Sequence, residues 1–202
     1  MKKMFLFLAL SLFLFTSTHG QANYNSLFGN NDEPTKVNYY LSASCDLYKI
    51  LDKPQAFTGL EGGIIVNRHV VLGFFGKGSF FNNDNSVAPD YYSMGMGGFS
   101  FGYLFMPDKI VNIETKIETG YGSLSTSNEK ITFFEEPDVM DSDVFFYCSP
   151  SVVLNVNITK SIKLYLGIGS NNIYTDAGNI FSDEKLSRIK TTFGITVHNL
   201  SK

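Results

Sequence analysis

The sequence predicts an all-β chain, an eight-stranded antiparallel up-and-down transmembrane β-barrel. Three observations carry that expectation. The first is strict alternation, as in "KIVNIETKIETGYG" (Lys109 to Gly122), where Val111, Ile113, Thr115, Ile117, Thr119 and Tyr121 share one face and Asn112, Glu114, Lys116 and Glu118 the other. The second is that short turns and long polar loops take turns along the chain. The third is that Tyr and Phe gather where strands meet loops. Alternation alone fits a soluble barrel with charges in water as well as a membrane barrel with charges inward. The other two observations favour the membrane.

The 202 residues carry a formal charge of −3, with 17% charged and 44% hydrophobic residues. Residues 1–20 read as a secretory signal peptide: Lys2 and Lys3, an apolar run from Met4 to Phe15, then small and polar residues. That run is too short for a spanning helix, which needs about 20 apolar residues. Removing it discards two lysines and takes the charge to about −5, so no basic surface for nucleic acid emerges. Residues 21–36 form an Asn-rich, aperiodic leader, and 37–202 the barrel.

Eight strand-like segments follow, rich in Val, Ile, Tyr, Phe and Thr: 37–49, 55–67, 69–80, 91–106, 109–123, 143–157, 161–174 and 186–198. The first pair is joined by "LDKPQ" (Leu51 to Gln55). The second turns at "NRH" (Asn67 to His69), the fourth at "MPDK" (Met106 to Lys109) and the sixth at "NITK" (Asn157 to Lys160). Between these lie long loops, Phe81 to Asp90, Leu124 to Ser142 and Thr175 to Lys185. In an up-and-down barrel this collects short turns at one end and long loops at the other, the asymmetry of outer-membrane barrels.

A basic residue facing lipid at mid-depth costs about 2 to 4 kcal/mol, so charged strand positions are expected inside. Val111, Ile113 and Ile117 then meet lipid, as do Ile162, Leu164, Leu166 and Ile168, and the row Val144, Phe146, Cys148, Val152, Leu154 and Val156. Glu61, Lys77, Glu114, Lys116, Glu118, Lys163, Arg188 and Lys190 are expected to pair across the lumen, because charges away from water need partners. Gly59, Gly63, Gly73, Gly95 and Gly122 on inner rows suit the narrow interior of an eight-strand barrel. Strand four changes phase near Gly97-Gly98, which predicts a bulge, and Pro150 predicts a bulge or local break.

Girdles of interfacial aromatics are expected from Tyr48, Phe57, Phe80, Tyr91, Tyr92, Tyr121, Phe145 and Tyr174 at the loop end, and from Tyr39, Tyr40, Tyr103 and Phe105 at the turn end. Cys45 and Cys148 lie on strands that are not neighbours, so they are expected apart.

The segments "GLEGGIIVNRHVVLGFFGKG" (Gly59 to Gly78), "MGMGGFSFGYLFMPDKIVNIETKIETGYG" (Met94 to Gly122) and "PSVVLNVNITKSIKLYLGIG" (Pro150 to Gly169) repeat a Gly-spaced strand, a tight turn and a second strand. With these the chain resembles the small eight-stranded outer-membrane β-barrels of the OmpA/OmpX type and the uncharacterised outer-membrane β-barrel domain proteins. The resemblance implies a barrel in the outer membrane of a Gram-negative bacterium. Such barrels commonly end on an aromatic residue, whereas this chain ends "VHNLSK", leaving that part to Phe193 or Leu200.

No catalytic arrangement is expected. After processing only His69 and His198 remain, each at the turn end or terminus and without a clear Ser and carboxylate partner. "DSD" (Asp141 to Asp143) and "SDE" (Ser182 to Glu184) read as solvated loop acids, and no His or Cys pair has ligand spacing, so no metal or cofactor is expected. The functional expectation is a monomeric, non-catalytic barrel contacting outer-membrane lipid and displaying long loops for surface interaction or envelope integrity. Ile131, Phe133, Phe134, Glu135 and Glu136 form a candidate contact patch for an extracellular or envelope protein. The rival readings are a soluble periplasmic lipocalin-like binder and a small gated channel.

Overall fold

A computed structural model describes residues 35–50, 53–82, 91–127, 141–175 and 189–199. Nine strands run in chain order: β1 (Val37–Ile50), β2 (Lys53–Val66), β3 (Val70–Asn82), β4 (Tyr91–Phe105), β5 (Val111–Ser127), β6 (Asp141–Asn157), β7 (Ile162–Ser170), β8 (Asn172–Thr175) and β9 (Ile189–His198). Every pairing is antiparallel, β1 also pairs with β9, and β5 with β6, so the sheet closes. β7 and β8 both pair with β6 in one continuous register, from Ser151↔Gly169 to Cys148↔Asn172. They are one interrupted stave, and the barrel has eight.

The register determines the barrel's dimensions. From Val37 the pairs run to Val66, Val70, Tyr103, Thr115, Val152, Ile168 and Thr191, and the circuit closes on Leu47, ten residues along β1 from its origin. A shear of ten over eight staves implies a tilt of about 40° and a radius of about 8 Å, taking ~3.3 Å per residue and ~4.8 Å between strands. Each residue then rises about 2.5 Å along the axis, and a 25 Å apolar band needs about ten of them. β5 and β6, with 17 residues each, extend beyond such a band.

The tight turns have local causes. Asn67 and Arg68 both take positive φ, 48° and 65°, the left-handed pair of a type I′ hairpin, and His69 N donates to Val66 O at 3.1 Å. Arg68 reaches Asp108 of the next turn at 2.7 Å. Thr159 Oγ1 accepts from Ser161 N and Ile162 N, holding the third turn.

The outward rows are apolar. Leu41, Leu60, Phe74, Phe99, Ile117, Val152, Leu166 and Phe193 are all exposed. Among the described outward strand residues Lys49, at the loop end of β1, carries the only charge. Inside, bulky side chains lie over glycines of the paired strand: Phe145 over Gly122, Lys77 over Gly59, Tyr165 over Gly194. That small-against-large matching fills a lumen of this radius.

Several expectations need correction. β4 keeps one phase through Gly97 and Gly98, with unbroken pairing to both neighbours; Gly98 belongs to the inner row, and with no side chain it hides the alternation. Gly95 lies on the outer row, opposite in phase to buried Met94 and Met96. The first connection is shorter than "LDKPQ", since Ile50 pairs with Lys53. Tyr40, Tyr48, Phe57, Tyr92 and Phe145 point inward and are buried, whereas Tyr39, Phe80, Tyr103, Phe105, Tyr121 and Tyr174 are exposed. The girdles are built by the second group, together with half-buried Tyr91, which is on the outward row of β4. No bulge occurs at Pro150, which is opposite Ile117 in regular register, but β7 gives way to β8 beside it, where the proline has no N–H to donate. Asn172 Nδ2 donates instead to Cys148 O at 3.2 Å.

Candidate functional site

The chemistry-bearing residues are gathered in the lumen, which has two levels. Alternation sends every second residue of each strand inward, so charges placed on that parity meet across the axis. β5 supplies Glu114, Lys116 and Glu118; β2 supplies Glu61, β3 Lys77, β7 Lys163 and β9 Lys190. All but Lys116, which is partly buried, are buried.

Glu118 is the centre of the network. Lys77 Nζ donates to both its carboxylate oxygens at 2.8 Å, Lys190 Nζ to Oε2 at 2.9 Å, and Tyr147 OH to Oε2 at 3.1 Å; Lys116 Nζ lies 3.4 Å from Oε1. Asp46 takes Lys77 at 2.7 Å and stands 3.8 Å from Lys190. Glu61 is paired with Lys116 and accepts from Tyr40 OH and Ser100 Oγ, each at 2.7 Å. Lower on β5, Glu114 accepts from Asn155 Nδ2 at 3.3 Å and lies 3.7 Å from Lys163. Four carboxylates, Asp46, Glu61, Glu114 and Glu118, thus face four lysines, and these eight charges cancel. Charges this deep are tolerable only when paired and hydrogen-bonded.

Toward the loop end the lumen becomes apolar. Tyr48, Phe57, Phe75, Tyr92, Met94, Met96, Leu124, Phe145 and Tyr147 form one buried cluster, with Tyr48 stacked on Phe57 at 4.4 Å between ring centres. Tyr147 belongs to both levels, its ring in the cluster and its hydroxyl on Glu118. At the turn end Tyr40, Ile65, Val71 and Leu104 make a smaller cluster. The void left among the charged residues is about 30 Å³, room for a water or two and no solute.

Arg188 and the patch Ile131, Phe133, Phe134, Glu135 and Glu136 lie outside the described residues, as do residues 1–34, expected to hold a signal peptide and most of a leader. Sequence reasoning missed Asp46, Tyr40, Tyr147 and Asn155. The parity that turns Cys45 and Leu47 outward already placed Asp46 inside. Cys45 and Cys148 are free thiols on outward rows. His69 Nδ1 lies 2.9 Å from Leu104 O, and His198 Nδ1 has no partner among the described residues. No group of three or more potential metal ligands occurs among the described residues.

No family model matches the chain, and no curated protein is similar to it in sequence. Solved structures that share the fold include two outer-membrane proteins. Neisserial surface protein A superposes with a TM-score of 0.53 at 12% identity, over 82% of this chain and 99% of that one. A major outer membrane protein from Thermus thermophilus gives a TM-score of 0.54 at 8% identity, over 81% of this chain and 100% of that one. The chain has the eight-stranded barrel fold of these outer-membrane proteins, down to the closed antiparallel sheet.

Proposed function

We propose that the protein is a non-catalytic barrel of the outer membrane of a Gram-negative bacterium, serving as a rigid monomeric stand for its long loops. The observation that carries this reading is inverted polarity. Leu41, Phe74, Ile117 and Leu166 face outward, while Asp46, Glu118 and Lys190 are buried at 3% exposure or less. Water would reverse that arrangement, and only hydrocarbon rewards it. The same polarity speaks against a lipocalin-like binder, whose ligand cavity would be apolar and far larger than 30 Å³. The aromatic cluster above the charges speaks against free passage of solutes.

What remains for function is the loop end. The connection through 128–140, with Ile131, Phe133 and Phe134 beside Glu135 and Glu136, offers apolar side chains next to negative charge, suited to an extracellular or envelope protein. The test is cell fractionation with an epitope inserted between Glu136 and Pro137. Outer-membrane recovery and antibody binding to intact cells support the proposal. Recovery in the soluble periplasmic fraction defeats it.

A further inference from the structure

The outward wall is not uniformly convex. A groove of about 610 Å³ runs across β4, β5, β6 and β7, floored by Thr115 and flanked by Phe101 and Tyr103 on one side and Pro150, Val152 and Ile168 on the other. It arises from side-chain size along one register row. Tyr103, Thr115, Val152 and Ile168 are successive partners, so a short threonine sits between a tall aromatic and aliphatic neighbours. One step toward the loops, Phe101 is followed by Ile117 and then by the low-profile ring of Pro150.

We propose that this groove seats one acyl chain of a bilayer lipid in preference to the rest of the barrel wall. The inference rests on the membrane reading above and adds a specific site to it. The groove is continuous with the apolar outward rows, and within it Thr115 stands between its taller partners Tyr103 and Val152. Its volume falls within the roughly 300–1,000 Å³ of small-molecule clefts, large enough to hold a chain segment by packing alone. A second copy of the barrel fits less well, because two convex walls touching at a concave strip leave it unfilled.

The test uses the full mature chain folded into phosphatidylethanolamine vesicles doped with the same lipid carrying a diazirine on one acyl chain. After photolysis, labelled peptides are mapped by mass spectrometry. The expected result is a several-fold excess of label on peptides holding Phe101–Tyr103 and Pro150–Val152 over those of β1–β3. Thr115→Trp, which fills the groove, should abolish the excess, and Leu60→Trp on the far wall should keep it. Even labelling around the barrel, or an excess unmoved by Thr115→Trp, overturns the groove proposal while leaving the membrane reading intact. Cross-links joining two copies through this face overturn it in favour of a dimer. Absence of label on every strand removes both readings together.

Discussion

Glu118 on β5 and Lys190 on β9 meet across the lumen at 2.9 Å, both almost wholly buried, although 72 residues separate them in sequence. The carboxylate that Lys190 reaches is shared with Lys77 and Tyr147. Replacing it leaves two buried ammonium groups, Lys77 and Lys190, to share the single carboxylate of Asp46. Glu118→Gln should destabilise the folded barrel by about 3 to 5 kcal/mol, the usual result of removing one partner from a buried pair. Urea unfolding in vesicles measures this, with Lys49→Gln at the exposed rim as the neutral reference. An effect no larger than that reference would mean the network contributes nothing.

Glycine pairs should be intolerant where backbones approach. Gly98 and Gly120 are cross-strand partners, and a Cβ on either would meet the other strand's backbone. Gly120→Ala should cost about 1 to 3 kcal/mol or more, the range for overpacking. Gly76→Ala, where a Cβ meets nothing within 4 Å, should be silent. Equal folding yields for the two would contradict the packing described.

The outward face should reject charge by depth. Ile117→Lys, in mid-strand and exposed, should lose about 2 to 4 kcal/mol in vesicles. Tyr174→Lys, in the loop-end girdle, should lose well under that. Urea titration of both variants in the same lipid decides the point, and no difference between the two depths counts against a spanning barrel.

The thiols report orientation. Cys45 and Cys148 are on outward rows of β1 and β6, separated by two staves. In vesicles a membrane-impermeant maleimide should label neither, and in denaturant it should label both. Rapid labelling of the folded protein would place these rows in water.

Much of the architecture is legible in the sequence because charges mark parity. On β5, Glu114, Lys116 and Glu118 announce the inner row, and the turn chemistry at Asn67 and Met106 announces the reversals. Parity is lost where glycine occupies a row, so Gly98 reads as a slip though the register is continuous. Aromatics mislead differently. A tyrosine or phenylalanine near a strand end suits a girdle and an interior plug equally, and only its parity relative to a charged neighbour separates them. Tyr48 is two residues from Asp46 and shares its inward row; Phe57 and Glu61 share theirs. The interruption between β7 and β8 is announced by Pro150 on the adjacent strand, where a missing donor in one strand shows in its partner.

The polarity of the wall can be read from a single side chain, since the chain contains no tryptophan. Ile117→Trp, folded into vesicles, should emit in the blue and be quenched most by lipids brominated deep in the acyl chain, while Asp108→Trp in a turn should respond only to shallow quenchers. Emission from residue 117 that ignores brominated lipid and responds to aqueous iodide would contradict the barrel's placement in a bilayer.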